Sequence, residues 1–132
     1  MLNMMIEIPV SHGELVDKLT ILEIKLEMIS EKSKINEIIT EHKYLSSIFN
    51  KIKTEEETVL SYYEELLAIN KKLWNIEDSI RSLEKQKKFN SEFIELARKV
   101  YYTNDERFEI KSKINALFNS NIKEQKSYEN YK

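Results

Sequence analysis

The chain has no cysteine, and it has only one glycine and one proline among its 132 residues. The absence of cysteine excludes disulfide bonds and thiolate metal ligands, and it fits a cytoplasmic protein. A sequence with so little glycine and proline has few tight turns, which favours long helices. We therefore expect a helical protein in the cytoplasm.

Neither the charge nor the hydropathy of the chain indicates a nucleic acid or a membrane as partner. The net charge is −2, and no stretch of the sequence resembles the basic footprint of a nucleic-acid-binding protein. No apolar run approaches the roughly 20 residues that a membrane helix needs. The hydrophobic share of 41% is enough for one core. We expect a single helical domain over residues 1–132, with an extended segment over 1–10 and a polar tail over 120–132.

The glycine and the proline lie close together, at Gly13 and Pro9. Before them, apolar and polar residues alternate over residues 3–10, which predicts an extended strand. A lone strand leaves its backbone N–H and C=O groups without partners. We therefore expect this strand to pair with the polar tail or with a second copy of the chain, the latter giving a homodimer.

The rest of the chain has the periodicity of long helices, which we place over residues 12–30, 34–53, 55–87 and 91–118. Ser11 with Glu14, and Thr54 with Glu57, have the spacing of capping boxes, and Asn90 is a typical N-cap. The first helix carries apolar residues on two sides, so it should be central. The predicted fold class is all-α: an antiparallel bundle of about four long helices with a short N-terminal extended segment.

The last predicted helix carries polar residues in the middle of its apolar face. Asn104, Arg107 and Lys111 fall there when the helix is projected at 100° per residue. A charge on such a face is costly unless it is paired or hydrated. Arg81 lies beside the apolar stripe of the preceding helix. We expect Arg81 and Arg107 to reach carboxylates on neighbouring helices, at Glu77, Asp105 or Glu14. Glu77 lies four residues before Arg81, so these two can also pair along their own helix.

These positions define a candidate pocket in which Arg81, Arg107 and Lys111 would hold an anionic group. Four carboxylates would orient these cations or accept hydroxyl groups of the ligand: Glu14, Asp17, Glu77 and Asp105. The candidate ligand-binding residues are Glu14, Asp17, Lys18, Trp74, Glu77, Asp78, Arg81, Tyr101, Asn104, Asp105, Arg107 and Lys111. A buried ion-pair network that fixes the helix register would explain the same cluster.

No sequence motif identifies a reaction. The chain has no HExxH motif, no glycine-rich phosphate loop and no GxSxG elbow. We expect no cofactor, with one alternative, Mg²⁺ held by carboxylates. The carboxylates for such a site would be Glu14, Asp17, Glu77, Asp78 and Asp105.

Residues 9–25, PVSHGELVDKLTILEIK, resemble a stretch found in an uncharacterised family of small bacterial and viral helical proteins. Residues 73–81 (LWNIEDSIR), 93–115 (FIELARKVYYTNDERFEIKSKIN) and 126–128 (KSY) resemble the same family in the same order. The resemblance does not extend over residues 31–58, and the chain departs from the family pattern at Met28, Asn119 and Gln125. Some relatives occur near, or joined to, glycosyltransferases of surface polysaccharide synthesis. The resemblance thus implies a role in surface-glycan metabolism and a glycosyltransferase-type partner.

Together, these observations predict a small helical binding or accessory module with a charged pocket for a polar or anionic ligand, or for a partner protein. Two alternatives belong to other classes. One is a metal-dependent enzyme, such as a helical nucleotide or sugar-phosphate hydrolase, although the paired-Glu helix motif of the nucleotide hydrolases is missing. The other is a structural adaptor that oligomerises.

Overall fold

A computed structural model of the protein describes residues 5–52, 57–120 and 123–131. Four α-helices lie within these residues, and no strand is present in them. The helices are α1 (His12–Met28), α2 (Lys32–Ile52), α3 (Glu57–Lys85) and α4 (Ser91–Leu117). The prediction of an all-α bundle is therefore confirmed.

The helices begin and end close to the predicted positions because their capping residues are local signals. Ser11 Oγ accepts the backbone N–H of Glu14 at 3.1 Å, and Asn90 Oδ1 accepts that of Phe93 at 3.1 Å. Asn119 has a φ of 51°, the left-handed conformation predicted for it. The predicted cap at Thr54 lies outside the described residues.

Two details at the helix ends differ from the prediction, one at the end of α3 and one at the start of α1. Lys87, with a φ of 57°, adopts the left-handed conformation after α3, so this helix ends at Lys85 rather than at residue 87. The carboxylate of Glu14 does not complete a capping box with Ser11. It pairs instead with Lys111 Nζ on α4, at 2.9 Å. A charge partner on another helix has replaced the local one.

Helix α1 lies at the centre of the described bundle, because only its backbone comes close to those of all three other helices. Its two apolar sides make this possible: Leu15, Leu19 and Leu22 are buried on one, and Ile24 is buried on the other. Gly13, Glu14 and Asp17 contact Asn115, Lys111 and Arg107 in turn, so α1 and α4 run in opposite directions. For the bundle as a whole, the antiparallel order stays a prediction.

The apolar core connects all four helices. Its buried members are Leu15, Val16, Leu19, Phe49, Val59, Leu66, Ile110 and Ile114. Side chains of this kind stabilise a fold by about 1.5–3 kcal/mol each when they are removed from water. Toward the middle of α3 and α4, this core is followed by buried polar residues, among them Asn70 and Thr103. The candidate site lies there.

Gly13 permits the close approach of α1 to α4. Its φ is not positive, so no left-handed turn requires a glycine here. A Cβ at this position would lie 2.5 Å from the carbonyl oxygen of Lys111 and 2.9 Å from Asn115 Oδ1. The Gly13 N–H donates to the same Asn115 oxygen at 2.7 Å. The single glycine therefore sets the distance between the two helices.

The described part of the N-terminal segment forms no strand within the single chain, and its pairing with a second copy stays a prediction. Residues 5–10 have no regular secondary structure, and Met5, Ile6 and Ile8 are largely exposed. Residues 123–131 also contain no strand, so the expected pairing between this segment and the tail is not observed. Residues 3 and 4 of the predicted strand lie outside the described residues. Alternation alone does not make a strand without a neighbouring strand to complete its hydrogen bonds.

Gly13→Ala should destabilise the protein. The added methyl group would meet the backbone of α4, and overpacking of this kind costs about 1–3 kcal/mol. The helix propensity of alanine offsets at most about 1 kcal/mol of this. Urea denaturation should show a lower free energy of unfolding for this variant. Lys18→Ala, an exposed change on the same helix, serves as the control, and equal stability of the two variants would contradict the close-approach role of Gly13.

Candidate functional site

The candidate site is organised around the carboxylate of Asp17 on α1, whose side chain is 1% exposed. Arg107 on α4 donates to it twice, from Nε to Oδ1 at 2.8 Å and from Nη2 to Oδ2 at 2.5 Å. Asn70 Nδ2 on α3 donates to Oδ1 at 3.0 Å. One buried carboxylate thus joins three helices.

Thr20 completes the surroundings of Asp17 one turn along α1. Its hydroxyl donates to the Asp17 carbonyl oxygen at 2.7 Å and accepts from Asn70 Nδ2 at 2.9 Å. Asn70 is thereby fixed between two acceptors on the same helix. A buried carboxylate is tolerated only when hydrogen bonds and an opposite charge replace its hydration, and Asp17 has both.

Arg107 keeps part of its side chain in water, with 27% exposed. Hydrogen bonding to Asp17 raises the pKa of the guanidinium, and this effect outweighs the opposing effect of burial. Arg107 is therefore a permanent cation held in one orientation. Asp17 accepts hydrogen bonds from two of its five N–H groups, and Nη1 makes a long contact of 3.4 Å with Asn104 Oδ1.

Lys111 lies one helical turn further along α4 and is more deeply buried, with 8% of its side chain exposed. Its Nζ contacts Glu14 Oε2 at 2.9 Å and Glu124 Oε2 at 2.8 Å. Burial acts to lower the pKa of Lys111, but the hydrogen bonds that Lys111 donates to Glu124 and Glu14, with the charges of nearby carboxylates, outweigh it, so the pKa is raised. The same contact with Lys111 lowers the pKa of Glu124.

Two clefts meet at Arg107. The tryptophan cleft, of about 300 Å³, is lined by Ile21, Ile24, Asn70, Leu73, Trp74, Glu77, Asp78, Arg81 and Arg107. The lysine cleft, of about 200 Å³, is lined by Glu14, Asn104, Arg107, Phe108, Lys111, Glu124 and Lys126. Because Arg107 lines both clefts, a group bound in either one would meet its guanidinium.

The structure brings most of the predicted site residues to these two clefts. Asp17 lines neither cleft but is buried against Arg107, which lines both, and three other residues lie elsewhere. Lys18 is exposed and lines a separate cleft beside the N-terminal segment. Tyr101 and Asp105 line a third cleft, where Asp105 accepts a hydrogen bond from Tyr131. This hydrogen bond raises the pKa of Tyr131 to about 12.

The expected acidic partners on neighbouring helices were wrong for both arginines, whereas the expected pair of Arg81 with Glu77 along α3 is confirmed. Arg107 pairs with Asp17 rather than with Glu77, Asp105 or Glu14. Arg81 pairs only with Glu77 of its own helix, at 3.4 Å, among the described residues, and its side chain is 79% exposed. Asp17 can reach α4 because Gly13 lets the two helices approach closely. Helical periodicity does not predict the distance between two helices.

Three contributors to the site were absent from the predicted set. Thr20 was not considered, and Asn70 was placed at the edge of the apolar stripe of its helix beside Trp74 but was left out of the ligand-binding set. Glu124 lies in the irregular segment of residues 123–131, where no helical period assigns it to a face. The only sequence signal for this segment was the resemblance of residues 126–128 to the family.

The five carboxylates considered for Mg²⁺ are not assembled into one site. Asp17 and Glu14 pair with cations, Glu77 and Asp78 line the tryptophan cleft, and Asp105 is bound by Tyr131. In the part of the chain that the structure describes, no three His, Cys, Asp or Glu side chains form a group suited to a metal. Nor does any helix in that part have the length and apolar character to cross a membrane.

Arg107→Ala should destabilise the protein strongly, whereas Arg98→Ala should not. Removing Arg107 leaves the Asp17 carboxylate buried without its counter-charge, at a cost of about 3 kcal/mol. Arg98 lies on the exposed surface of the same helix and contacts Tyr102. Thermal unfolding followed by circular dichroism compares the two variants. Equal melting temperatures would show that the Asp17–Arg107 pair does not stabilise the fold.

Comparison with known proteins gives one result that covers nearly the whole chain. Neither the curated proteins nor the solved structures provide a match. A family model, described as a family of unknown function (DUF6165), matches residues 4–131. The match includes residues 31–58, to which the resemblance noted from the sequence did not extend. It also includes Asp17, Arg107 and Glu124, which meet in the candidate site. The chain therefore belongs to the DUF6165 family of unknown function.

Proposed function

We propose that this protein is a small binding module whose tryptophan cleft takes a polar ligand with an anionic group. The observation that carries the proposal is the position of Arg107. Asp17 fixes its guanidinium by two hydrogen bonds, and the same guanidinium lines both clefts. An arginine fixed in this way binds an anion without first losing side-chain freedom, which favours affinity.

The donors that Asp17 does not use can bind the ligand. A guanidinium has five N–H groups in a planar fork that matches the oxygens of a carboxylate or a phosphate. Asp17 accepts one hydrogen bond from Nε and one from Nη2, and Nη1 lies at the long distance of 3.4 Å from Asn104 Oδ1. Arg81, largely exposed at the same cleft, supplies a second cation.

The lining of the tryptophan cleft favours a sugar phosphate or a related glycan precursor. Trp74 offers an aromatic face, and Ile21 and Leu73 add apolar surface. Glu77 and Asp78 can accept hydrogen bonds from hydroxyl groups. Aromatic surface, hydroxyl acceptors and a fixed cation together suit a ligand with a sugar ring and a phosphate.

Surface-glycan metabolism, a glycosyltransferase-type partner and a cytoplasmic location are part of this proposal, and they rest on the sequence alone. The metal-dependent hydrolase has less support, because Asp17 and Glu14 already pair with Arg107 and Lys111. The homodimer and the adaptor function have one supporting observation. Apolar side chains of the N-terminal segment are exposed, among them Ile6 at 86%.

Titration with glucose 1-phosphate should change the fluorescence of Trp74, the only tryptophan of the chain. Separate titrations with inorganic phosphate and with glucose show whether the phosphate group or the sugar contributes most of the affinity. Arg107→Lys keeps the charge but loses the planar fork, so we expect binding to weaken about tenfold or more. Arg98→Lys is the matched control and should bind like the wild type.

Arg81→Ala provides a second test that does not disturb the buried pair, because Arg81 is exposed. This variant should keep its melting temperature and bind the probe more weakly. Calorimetric titration repeats the measurement without relying on Trp74. If the wild type shows no binding by either method, or if Arg107→Lys and Arg81→Ala both bind normally, the tryptophan cleft is not the ligand site.

A further inference from the structure

The carboxylate of Glu124 is held in the lysine cleft by two ammonium groups, one on each oxygen. Oε2 lies 2.8 Å from Lys111 Nζ, and Oε1 lies 3.2 Å from Lys126 Nζ. Arg107 lines the same cleft. A carboxylate with a cation on each oxygen, and a third cation in the same cleft, has the surroundings of a bound anion rather than of an ordinary surface glutamate.

The segment that carries Glu124 is placed over α4 by contacts along its length. Tyr131 packs its ring 5.1 Å from those of Tyr101 and Tyr102, and Lys126 Nζ lies 5.9 Å from the ring of Phe108. These contacts bring residue 124 to the mouth of the lysine cleft although residues 123–131 have no regular secondary structure. The Glu124 side chain is itself 36% exposed, so it can rotate into water without unfolding a helix.

We infer that Lys111, Lys126 and Arg107 form an anion subsite, and that Glu124 occupies it as an internal substitute for a ligand's phosphate or carboxylate group. When Glu124 turns away, three cations line the cleft and Glu14 is the one remaining carboxylate of its lining. An external anion then restores the second partner of the buried Lys111. That this anion belongs to the ligand of the tryptophan cleft rests on the proposed function, since the two clefts meet at Arg107.

Phosphate is a stronger occupant of this subsite than the glutamate it replaces. A phosphate group carries up to two negative charges and three strong acceptor oxygens, against one charge and two oxygens for Glu124. A partly exposed ion pair such as that of Glu124 contributes little stability by itself. Displacement of Glu124 by a phosphate group therefore costs only the small contribution of a partly exposed ion pair.

The test compares Glu124→Ala with Glu129→Ala, a change of an exposed glutamate in the same segment. Melting temperatures are measured in sodium phosphate and in sodium chloride at equal ionic strength. Phosphate should raise the melting temperature of Glu124→Ala by roughly 3 °C more than that of the wild type or of Glu129→Ala, since an anion that binds only the folded state stabilises it. Adding Lys126→Ala to Glu124→Ala should remove most of this gain.

An equal response of Glu124→Ala, Glu129→Ala and the wild type to phosphate would overturn the subsite. So would a gain that Lys126→Ala leaves unchanged. This measurement uses neither Trp74 nor the sugar of the probe, so it tests the anion subsite separately from the proposed function of the tryptophan cleft. Stabilisation by phosphate without a Trp74 response to glucose 1-phosphate would reject the tryptophan cleft and support the subsite alone.

Discussion

The need to neutralise one buried carboxylate constrains the arrangement of three helices in this protein. Asp17 is almost fully removed from water, and a carboxylate in that position requires both a counter-charge and hydrogen-bond donors. Arg107 supplies the charge from α4 and Asn70 supplies a donor from α3. A shift of either helix by one turn along α1 would separate these groups. The ion pair therefore specifies the register in which the apolar side chains above it pack.

A buried ion pair is a poor choice if stability is the only requirement. Apolar residues of similar size commonly give a protein that is equally stable or more so. The Asp17–Arg107 pair differs from a sealed pair in that the guanidinium remains partly exposed and lines two clefts. Asp17 is the positioning group, and Arg107 presents its remaining N–H groups where a ligand can reach them. This division of roles connects the packing of the bundle to the proposed binding function.

The sequence predicted the features that depend on local chemistry. Ser11 and Asn90 cap their helices, Asn119 adopts the left-handed conformation, and α1 is central because it is apolar on two sides. The polar residues on the apolar face of α4 were identified in the same way. Such signals lie within a few residues of the structure that they determine.

Features that depend on distances between elements could not be predicted from the sequence. Asp17 was one of four carboxylates expected to orient the cations. It is the one that pairs with Arg107 because Gly13 allows α1 and α4 to approach closely, and helical periodicity does not report that distance. Glu124 reached Lys111 from an irregular segment that has no period. The absence of a strand in residues 5–10 has a related reason, since alternation shows which side chains are apolar but not whether another strand lies alongside.

A double-mutant cycle on Asp17→Ala and Arg107→Ala, measured as free energies of unfolding, tests the central claim most directly. If the carboxylate and the guanidinium depend on each other, each single change leaves a buried charge without its partner. The double change removes both charges, so it should cost less than the sum of the single changes by about 2 kcal/mol or more. Additivity within about 0.5 kcal/mol would show that the two residues act independently, and the account of this site would be wrong.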